Sequence, residues 1–237
     1  MGKTLSKNFM VIAALIMLTA CASKQGVNDP IEPFNRAVFS FNTTLDDYIL
    51  KPVAKGYSTT VPDFAQQGVG NFFSNLKYPV VCANQFLQGK FKIGMQDTTR
   101  FLVNSTFGVA GLFDVAQKFG LEEHDEDFGQ TFGVWGMQSG PYIMLPLFGP
   151  SNIRDGLGMV AHAHVEPYNS DYFKYRRGTE NKMKVLNLID TRASLLKAER
   201  LVSGDKYVFL RDAYMQRRES LIVDGATSEG DPFLDDE

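Results

Sequence analysis

From Phe128 to Ile153 the chain carries no Asp, Glu, Lys or Arg, yet five glycines (129, 133, 136, 140, 149) and three prolines (141, 146, 150) interrupt these 26 residues. A bilayer-spanning helix needs about 20 apolar residues whose backbone groups satisfy one another. Glycine and proline at this density break such a ladder. The segment must therefore turn repeatedly and still lie in apolar surroundings. Irregular backbone survives at membrane depth only where it is buried in protein or lines a water-filled cavity. Two readings stay open at this point, a loop buried over a core and a segment bordering a cavity in a membrane. Trp135 and Tyr142 suit an interface, each having an apolar body with a polar tip.

The amino terminus bears on that choice. Lys3 and Lys7 precede the apolar run Phe9 to Leu18, and Leu18-Thr19-Ala20-Cys21 closes it with small residues, the pattern of a secretory signal. The small pair before the cysteine resembles the bacterial lipobox. That resemblance implies a signal peptide over 1–20 and a mature chain beginning at an acylated Cys21. Acyl chains would anchor it without a transmembrane helix. Beyond the signal there is no run of about 20 apolar residues free of Gly and Pro. Ala22, where retained lipoproteins carry Asp, implies the outer membrane by similarity to sorted lipoproteins.

Removing residues 1–20 takes away two lysines and no acid, leaving 22 Lys+Arg against 27 Asp+Glu. No basic surface for nucleic acid is expected from that balance. With Cys21 lipidated, Cys82 has no disulfide partner and reads as a small buried hydrophobe. Residues 21–28 form a polar tether and 29–223 a single domain. The last stretch, 224–237, holds six acids and no base, as in a disordered acidic tail.

Within the domain the periodicity is helical, and the fold class is mostly α. Phe34, Val38, Phe41, Leu45 and Tyr48 step by four and three along one face, a stripe widened by Phe39, Ile49 and Leu50. Ala65, Val69, Phe72 and Leu76 repeat the step after Pro62-Asp63, with Pro79 expected to close the element. Further helices are expected near 80–88, 90–105, 109–119, 153–163, 178–202 and 205–222. Nineteen phenylalanines are more than a core of this size ordinarily uses. A helix apolar over more than one face must bury more than one face, against either protein or lipid.

Enzymatic and metal readings are weaker. The run 122–127 (EEHDED) has ligand-type residues without the spacing of a hard-metal loop and reads as a solvated loop. His162 and His164 fall on different helix faces with no third ligand. Gly136 to Gly140 (GMQSG) misplaces the serine of a nucleophile elbow. Arg154 and Asp155 are expected to cap the helix that follows Ser151 or Asn152, and Arg192 and Arg211 to pair with acids.

Several long stretches resemble the MlaA/VacJ family of outer-membrane lipoproteins: 29–54 (DPIEPFNRAVFSFNTTLDDYILKPVA), 72–90 (FFSNLKYPVVCANQFLQGK), 99–116 (TRFLVNSTFGVAGLFDVA), 128–158, 189–196 (IDTRASLL) and 207–218. The resemblance covers about 29–224 in order. It implies a compact, ring-like helical body embedded in the periplasmic leaflet of the outer membrane, with an amphipathic central channel. Misplaced outer-leaflet phospholipids would pass through it to a soluble periplasmic carrier of the Mla pathway, with trimeric porin holding the ring in place. No cofactor and no covalent step are implied. Matching motifs gives the channel or gate candidates Phe39, Phe41, Asn42, Gly108, Gly111, Gly140, Pro141, Tyr142, Leu145, Pro146 and Phe148, with Cys21 as lipid anchor. For the aromatics, ordinary core packing is the competing reading. A structural lipoprotein bound to porin and a membrane-bound phospholipase are the alternative functions.

Overall fold

In a computed structural model, residues 27–165, 179–201 and 204–223 are described. The expected signal peptide, Cys21, most of the tether, the acidic tail and 166–178 lie outside them. The described chain is mostly helical, as expected.

Helix α1 (Glu32–Leu45) starts with a proline in its first turn and passes without a break through a π turn (Asp46–Leu50) into α2 (Lys51–Thr60). Pro52 has no N–H for the ordinary i→i−4 bond. Just before it the ladder loosens, and the Lys51 amide donates to the Asp46 carbonyl. Val61, preceding Pro62, is extended and ends the rod.

Helix α3 (Asp63–Leu87) runs through Pro79, correcting the expectation that this proline closes the element. Pro79 cannot donate to the Asn75 carbonyl, but packing along 25 residues outweighs one missing bond. A tight turn at Gly89 (φ 80°) leads into α4 (Phe91–Thr106), which packs against α3. A Cβ on Gly94 would stand 2.8 Å from the Phe86 ring.

The helix expected at 109–119 does not form. Val109, Ala110 and Gly111 are all left-handed (φ 54°, 58° and 89°), and only the 3-10 turn Ala116–Phe119 follows. The turn is forced by close approach, since a Cβ on Gly111 would lie 2.4 Å from Asn75 Cβ and one on Gly108 2.2 Å from the Phe113 carbonyl oxygen.

The uncharged segment resolves into α5 (Phe128–Val134), a loop, and a hairpin of β1 (Tyr142–Leu145) and β2 (Gly149–Asn152). The strands pair antiparallel from Tyr142 opposite Asn152 to Leu145 opposite Gly149. Helix α6 (Ile153–Val165) follows and crosses α5. Helix α7 (Thr179–Ser194) packs on α2 and α3, with Tyr57 donating to Asp190 at 2.7 Å. It ends before a 3-10 turn (Ala198–Leu201), shorter than the single helix expected over 178–202. The last helix, α8 (Lys206–Ile222), is capped by Asp205, which accepts from the amides of Tyr207 and Val208. Among the described residues no helix is long and apolar enough to cross a membrane.

The balance of polarity differs from that of an ordinary water-soluble domain: beside an apolar core around Val38, Tyr142, Met144 and Tyr207, many buried residues are polar and many large apolar side chains lie outside. The interior holds Asn35, Asn84, Gln85, Asp97, Arg100, Gln130 and Thr131, all at most 3% exposed. Outside, Phe64 (78%), Phe107 (75%) and Phe91 (66%) stand free, and Phe73 is the one buried phenylalanine among the described residues. The α1 stripe follows the same rule. Val38 is buried, whereas Phe34, Phe41 and Tyr48 point outward. Cys82 is buried and free, its thiol pushed up by desolvation.

Candidate functional site

The hairpin is built from residues suited to each of its parts. Its three-residue loop, Pro146-Leu147-Phe148, needs left-handed backbone, and Leu147 (φ 68°) and Gly149 (φ 83°) supply it. For Leu147 that conformation costs energy that a glycine would not incur. Pro150 is tolerated because, among the described residues, β2 has β1 as its only strand neighbour. The base is deeply buried at Tyr142, Met144, Ser151 and Asn152, while Leu147 and Phe148 at the tip are more than 70% exposed.

Helix α1 holds β1 through two carboxamides. Asn35 donates to the Tyr142 carbonyl at 3.1 Å and accepts from the Met144 amide at 2.9 Å. Asn42 donates to the Leu145 carbonyl and accepts from the Leu147 amide, both at 2.9 Å. At the amino end, the Tyr142 amide reaches the Asn28 carbonyl at 2.8 Å. Tyr142 then packs edge-on against Tyr207 and Tyr214, with ring centroids 6.2 and 6.4 Å away, and Phe39 meets Tyr207 at 5.7 Å. Burial raises all three tyrosine pKa values, so these phenols stay neutral. Tyr207 donates to Asp29, fastening α8 to the start of the domain.

A cavity lies on each side of the hairpin. The one bounded by α1 and α8 measures about 560 Å³, with Phe39, Asn42, Met144, Leu195, Phe209 and Leu210 in its lining. Its charged rim is tightly paired: Arg192 grips Asp46 with two bonds of 2.7 Å and Glu199 with one of 2.7 Å, and Lys51 takes Glu199 at 2.6 Å. These bonds from Lys51 first, then Arg192, hold Glu199 down at about 2.

The other cavity, about 470 Å³, is lined by Phe148 and Pro150 of the hairpin, by Val80 and Val81 of α3, and by Met159 and His162 of α6. At its floor Arg218 bonds Asp127 at 2.6 and 2.8 Å and Asp155 at 3.0 Å. Burial pushes both carboxylates up, but the Arg218 bonds outweigh it and leave them below their ordinary values. Asp155 also accepts from Tyr214 and from Asn152 Nδ2, each at 2.7 Å. Arg218 and Asp155 are largely withdrawn from water, whereas Asp127 keeps an exposed side; buried charge is stable only when paired, so the floor is a rigid support.

The sequence candidates divide between these places. Phe39, Asn42, Tyr142, Leu145, Pro146 and Phe148 converge on the hairpin and its two cavities. Gly140, left-handed at φ 69°, and Pro141 lead into β1, and a Cβ on Gly140 would meet Ile153 at 3.3 Å. Phe41 faces outward. Gly108 and Gly111 shape a separate turn against α3 and α4 and line neither cavity.

Two expectations are corrected. The cap of α6 is Asn152, whose Oδ1 accepts from the Asp155 amide at 2.8 Å; Arg154 and Asp155 lie within the first turn. A short amide immediately before the helix is better placed for that bond than longer side chains inside it. The acidic run is not simply a solvated loop either. Glu126 is buried and pairs with Lys90 at 3.1 Å, Asp97 meets His124 at 2.9 Å, and Asp127 caps α5 through the Gln130 amide. Among the described residues no cluster of three or more His, Cys, Asp or Glu could hold a metal. Arg192 and Arg211 do pair with acids, Arg211 with Asp212 at 2.8 Å and Asp29 at 3.4 Å.

Asn35 and Arg218 are supports of the hairpin and of the cavity floor that sequence reasoning missed. The signal for Asn35 was its spacing of seven from Asn42 on one amphipathic helix. Arg218 carries no local signal, because its partners lie 63 and 91 residues away.

Comparison with known proteins places this geometry. The model of the family described as "MlaA lipoprotein" matches residues 27–221. The "Intermembrane phospholipid transport system lipoprotein MlaA" of Escherichia coli (strain K12) is 37% identical over 221 residues, covering 88% of this chain and 86% of that protein. The Haemophilus influenzae protein of the same description is 30% identical, covering 95% and 94%. A solved structure described as "Structural basis for maintenance of bacterial outer membrane lipid asymmetry" is 37% identical with a TM-score of 0.70, covering 82% of this chain and 98% of its own.

Proposed function

The chain belongs to the MlaA lipoprotein family, and from that membership we propose that it is the envelope lipoprotein of an intermembrane phospholipid transport system, maintaining outer-membrane lipid asymmetry. The observation that carries this reading is the exterior of the body, where large aromatic and aliphatic side chains stand exposed while many polar residues are buried. In water such an exterior is an interaction or aggregation surface; in a hydrocarbon leaflet it is solvated.

On this reading residues 1–20 are removed, Cys21 is acylated, 21–28 form the tether, and the 29–223 body sits in the periplasmic leaflet of the outer membrane. The tail, 224–237, remains outside it. Phospholipid passes along the cavities flanking the hairpin, where an apolar lining meets a charged rim. Trimeric porin contacts the aromatic exterior, and a soluble periplasmic carrier receives the lipid. Lipids move intact. The relatives are described as transport lipoproteins, with no catalytic activity attached to them.

The test is surface-exposed phospholipid in cells lacking the gene, complemented with wild type, Cys21→Ala or Leu145→Lys, beside chromatography of phospholipid incubated with the purified lipoprotein. Restoration by wild type alone, with intact lipid in the tube, is the expected result. Lysophospholipid in the tube would replace transport with hydrolysis. A deletion strain with unchanged surface lipid would leave only a structural role beside porin.

A further inference from the structure

The cavity between α1 and α8 is lined by one cation that forms no ion pair with the acids of its rim. Asp46, Asp47, Glu199 and Arg192 line it, and Lys51, outside the lining, reaches Glu199 at 2.6 Å and Asp47 at 3.4 Å. Three acids thus stand against two bases. Lys206 is the fifth charged group of this lining, and among the described residues no carboxylate lies within 4.0 Å of its ammonium. Its charge balances the rim while being committed to no partner.

Its position on α8 gives that charge a direction. Lys206 is the first residue of the helix, and Phe209 and Leu210, three and four residues on, line the same cavity. Residues at those spacings share a helix face, about 5.4 Å apart along the axis. One face of α8 therefore offers a cation and, one turn further, two large apolar side chains, continued by Phe39 and Met144 across the cavity. That sequence of surfaces complements an anionic amphiphile. A volume of about 560 Å³ is ample for part of one, within the roughly 300–1,000 Å³ of ordinary ligand sites.

Resting on the phospholipid-transport reading, we propose that Lys206 is the phosphate contact of this cavity, pairing with the phosphodiester of a glycerophospholipid whose acyl chain lies along Phe209 and Leu210. An ammonium is a mobile point charge with three donors, suited to a ligand that must leave again. The same cation would accept inorganic phosphate; the apolar lining is what selects the lipid.

The experiment uses full-length lipoprotein in detergent micelles, with fluorescent phosphatidylglycerol and fluorescent diacylglycerol of identical chains as probes. Wild type, Lys206→Gln, Lys206→Glu and the exposed-site control Lys118→Glu are compared after thermal melting has verified each fold. Wild type and the control should retain phosphatidylglycerol above diacylglycerol. Lys206→Gln should lower phosphatidylglycerol retention roughly tenfold, the lower end of what a hydrogen bond to a charged group supplies, and Lys206→Glu further still, with diacylglycerol unchanged. Phe209→Ser should weaken both. Equal phosphatidylglycerol retention by wild type and Lys206→Glu would overturn the assignment while leaving the transport reading intact. Wild type retaining neither probe would instead remove the reading beneath it. Displacement by inorganic phosphate as effective as by unlabelled phosphatidylglycerol would make the ligand phosphate itself and discard the acyl contact.

Discussion

Asn35 and Asn42 stand seven residues apart on α1, and each gives both ends of its carboxamide to the hairpin backbone. Seven helical residues rise about 10.5 Å, while the peptide groups they meet, 142/144 and 145/147, are three residues apart, about 10 Å along a strand. The match lets one helix satisfy the free edge of β1 at 142 and 144 in place of a third strand and hold the start of the loop at 145 and 147, which also fixes where the hairpin lies over the two cavities.

Removing the two asparagines should therefore have unequal effects. Asn35 is fully buried, and Asn35→Ala orphans the Met144 amide and the Tyr142 carbonyl away from water, costing about 2–6 kcal/mol at 1–3 per group. Asn42→Ala frees groups near the exposed tip, where water replaces the lost partners, and should cost no more than about 1 kcal/mol. Its effect is local: hydrogen exchange at the Leu147 amide should accelerate about tenfold. Melting curves and exchange rates check the order, and a costlier Asn42→Ala would contradict the edge-partner account.

The unequal burial of this one helix shows what the sequence could convey. Periodicity located α1, since Phe34, Val38, Phe41, Leu45 and Tyr48 recur at helical spacing whatever surrounds them. It could not say which side faces inward, because only Val38 is buried and the polar Asn35 lies beside it. The core-facing rule presumes water outside. Asn42 lay within a matched motif and was legible as a candidate, whereas Arg218 depends on Asp127 and Asp155, brought to it only by the crossing of α5, α6 and α8. Pro79 and the Val109-Ala110 pair misled for a related reason. Long-range packing, invisible in a local window, carries a helix through one and forces left-handed backbone at the other.

An outward-facing aromatic should matter to membranes and not to folding. Phe64 and Phe107 are 78% and 75% exposed. Phe64→Ser and Phe107→Ser should change unfolding free energy in detergent by no more than about 0.5 kcal/mol, the usual range for surface sites. Co-flotation of the body with phospholipid vesicles, measured on Cys21→Ala protein to remove the anchor, should fall with each change and further in the double variant. A loss of several degrees in melting temperature with unchanged flotation would return these rings to a protein core.

Acid should weaken the rim beside the α1–α8 cavity in a defined window. Glu199 is held at about 2 by its bonds from Lys51 and Arg192, against an ordinary 4.5. A carboxylate depressed on folding stabilises above its unfolded pKa and loses that contribution as pH falls through the folded one. The melting-temperature advantage of wild type over Glu199→Gln should thus be constant at neutral pH and shrink from about 4.5 towards 2. An advantage that grew on acidification would mean the neutral acid is the species the rim holds.

The crossing of α5 and α6 fixes the two ends from which the hairpin is hung, and two glycines on α6 test it with opposite signs. A Cβ on Gly158 would lie 2.4 Å from the Gly129 amide nitrogen and 2.8 Å from its Cα. Those atoms are backbone and cannot rotate aside, so Gly158→Ala must separate the helices, an overpacking cost of about 1–3 kcal/mol. Separation also strains the Arg218 bonds that join Asp127, at the start of α5, to Asp155 on α6. Gly156, two residues earlier, has only Ser151 Oγ at 3.9 Å in its path. Gly156→Ala should stabilise by about 0.5–1 kcal/mol, because alanine is the better helix former where space allows. At about 2–4 °C per kcal/mol for a chain of this size, melting should fall by several degrees for Gly158→Ala and rise by one to a few for Gly156→Ala. Equal responses would show that helix propensity, not contact between the helices, governs this crossing.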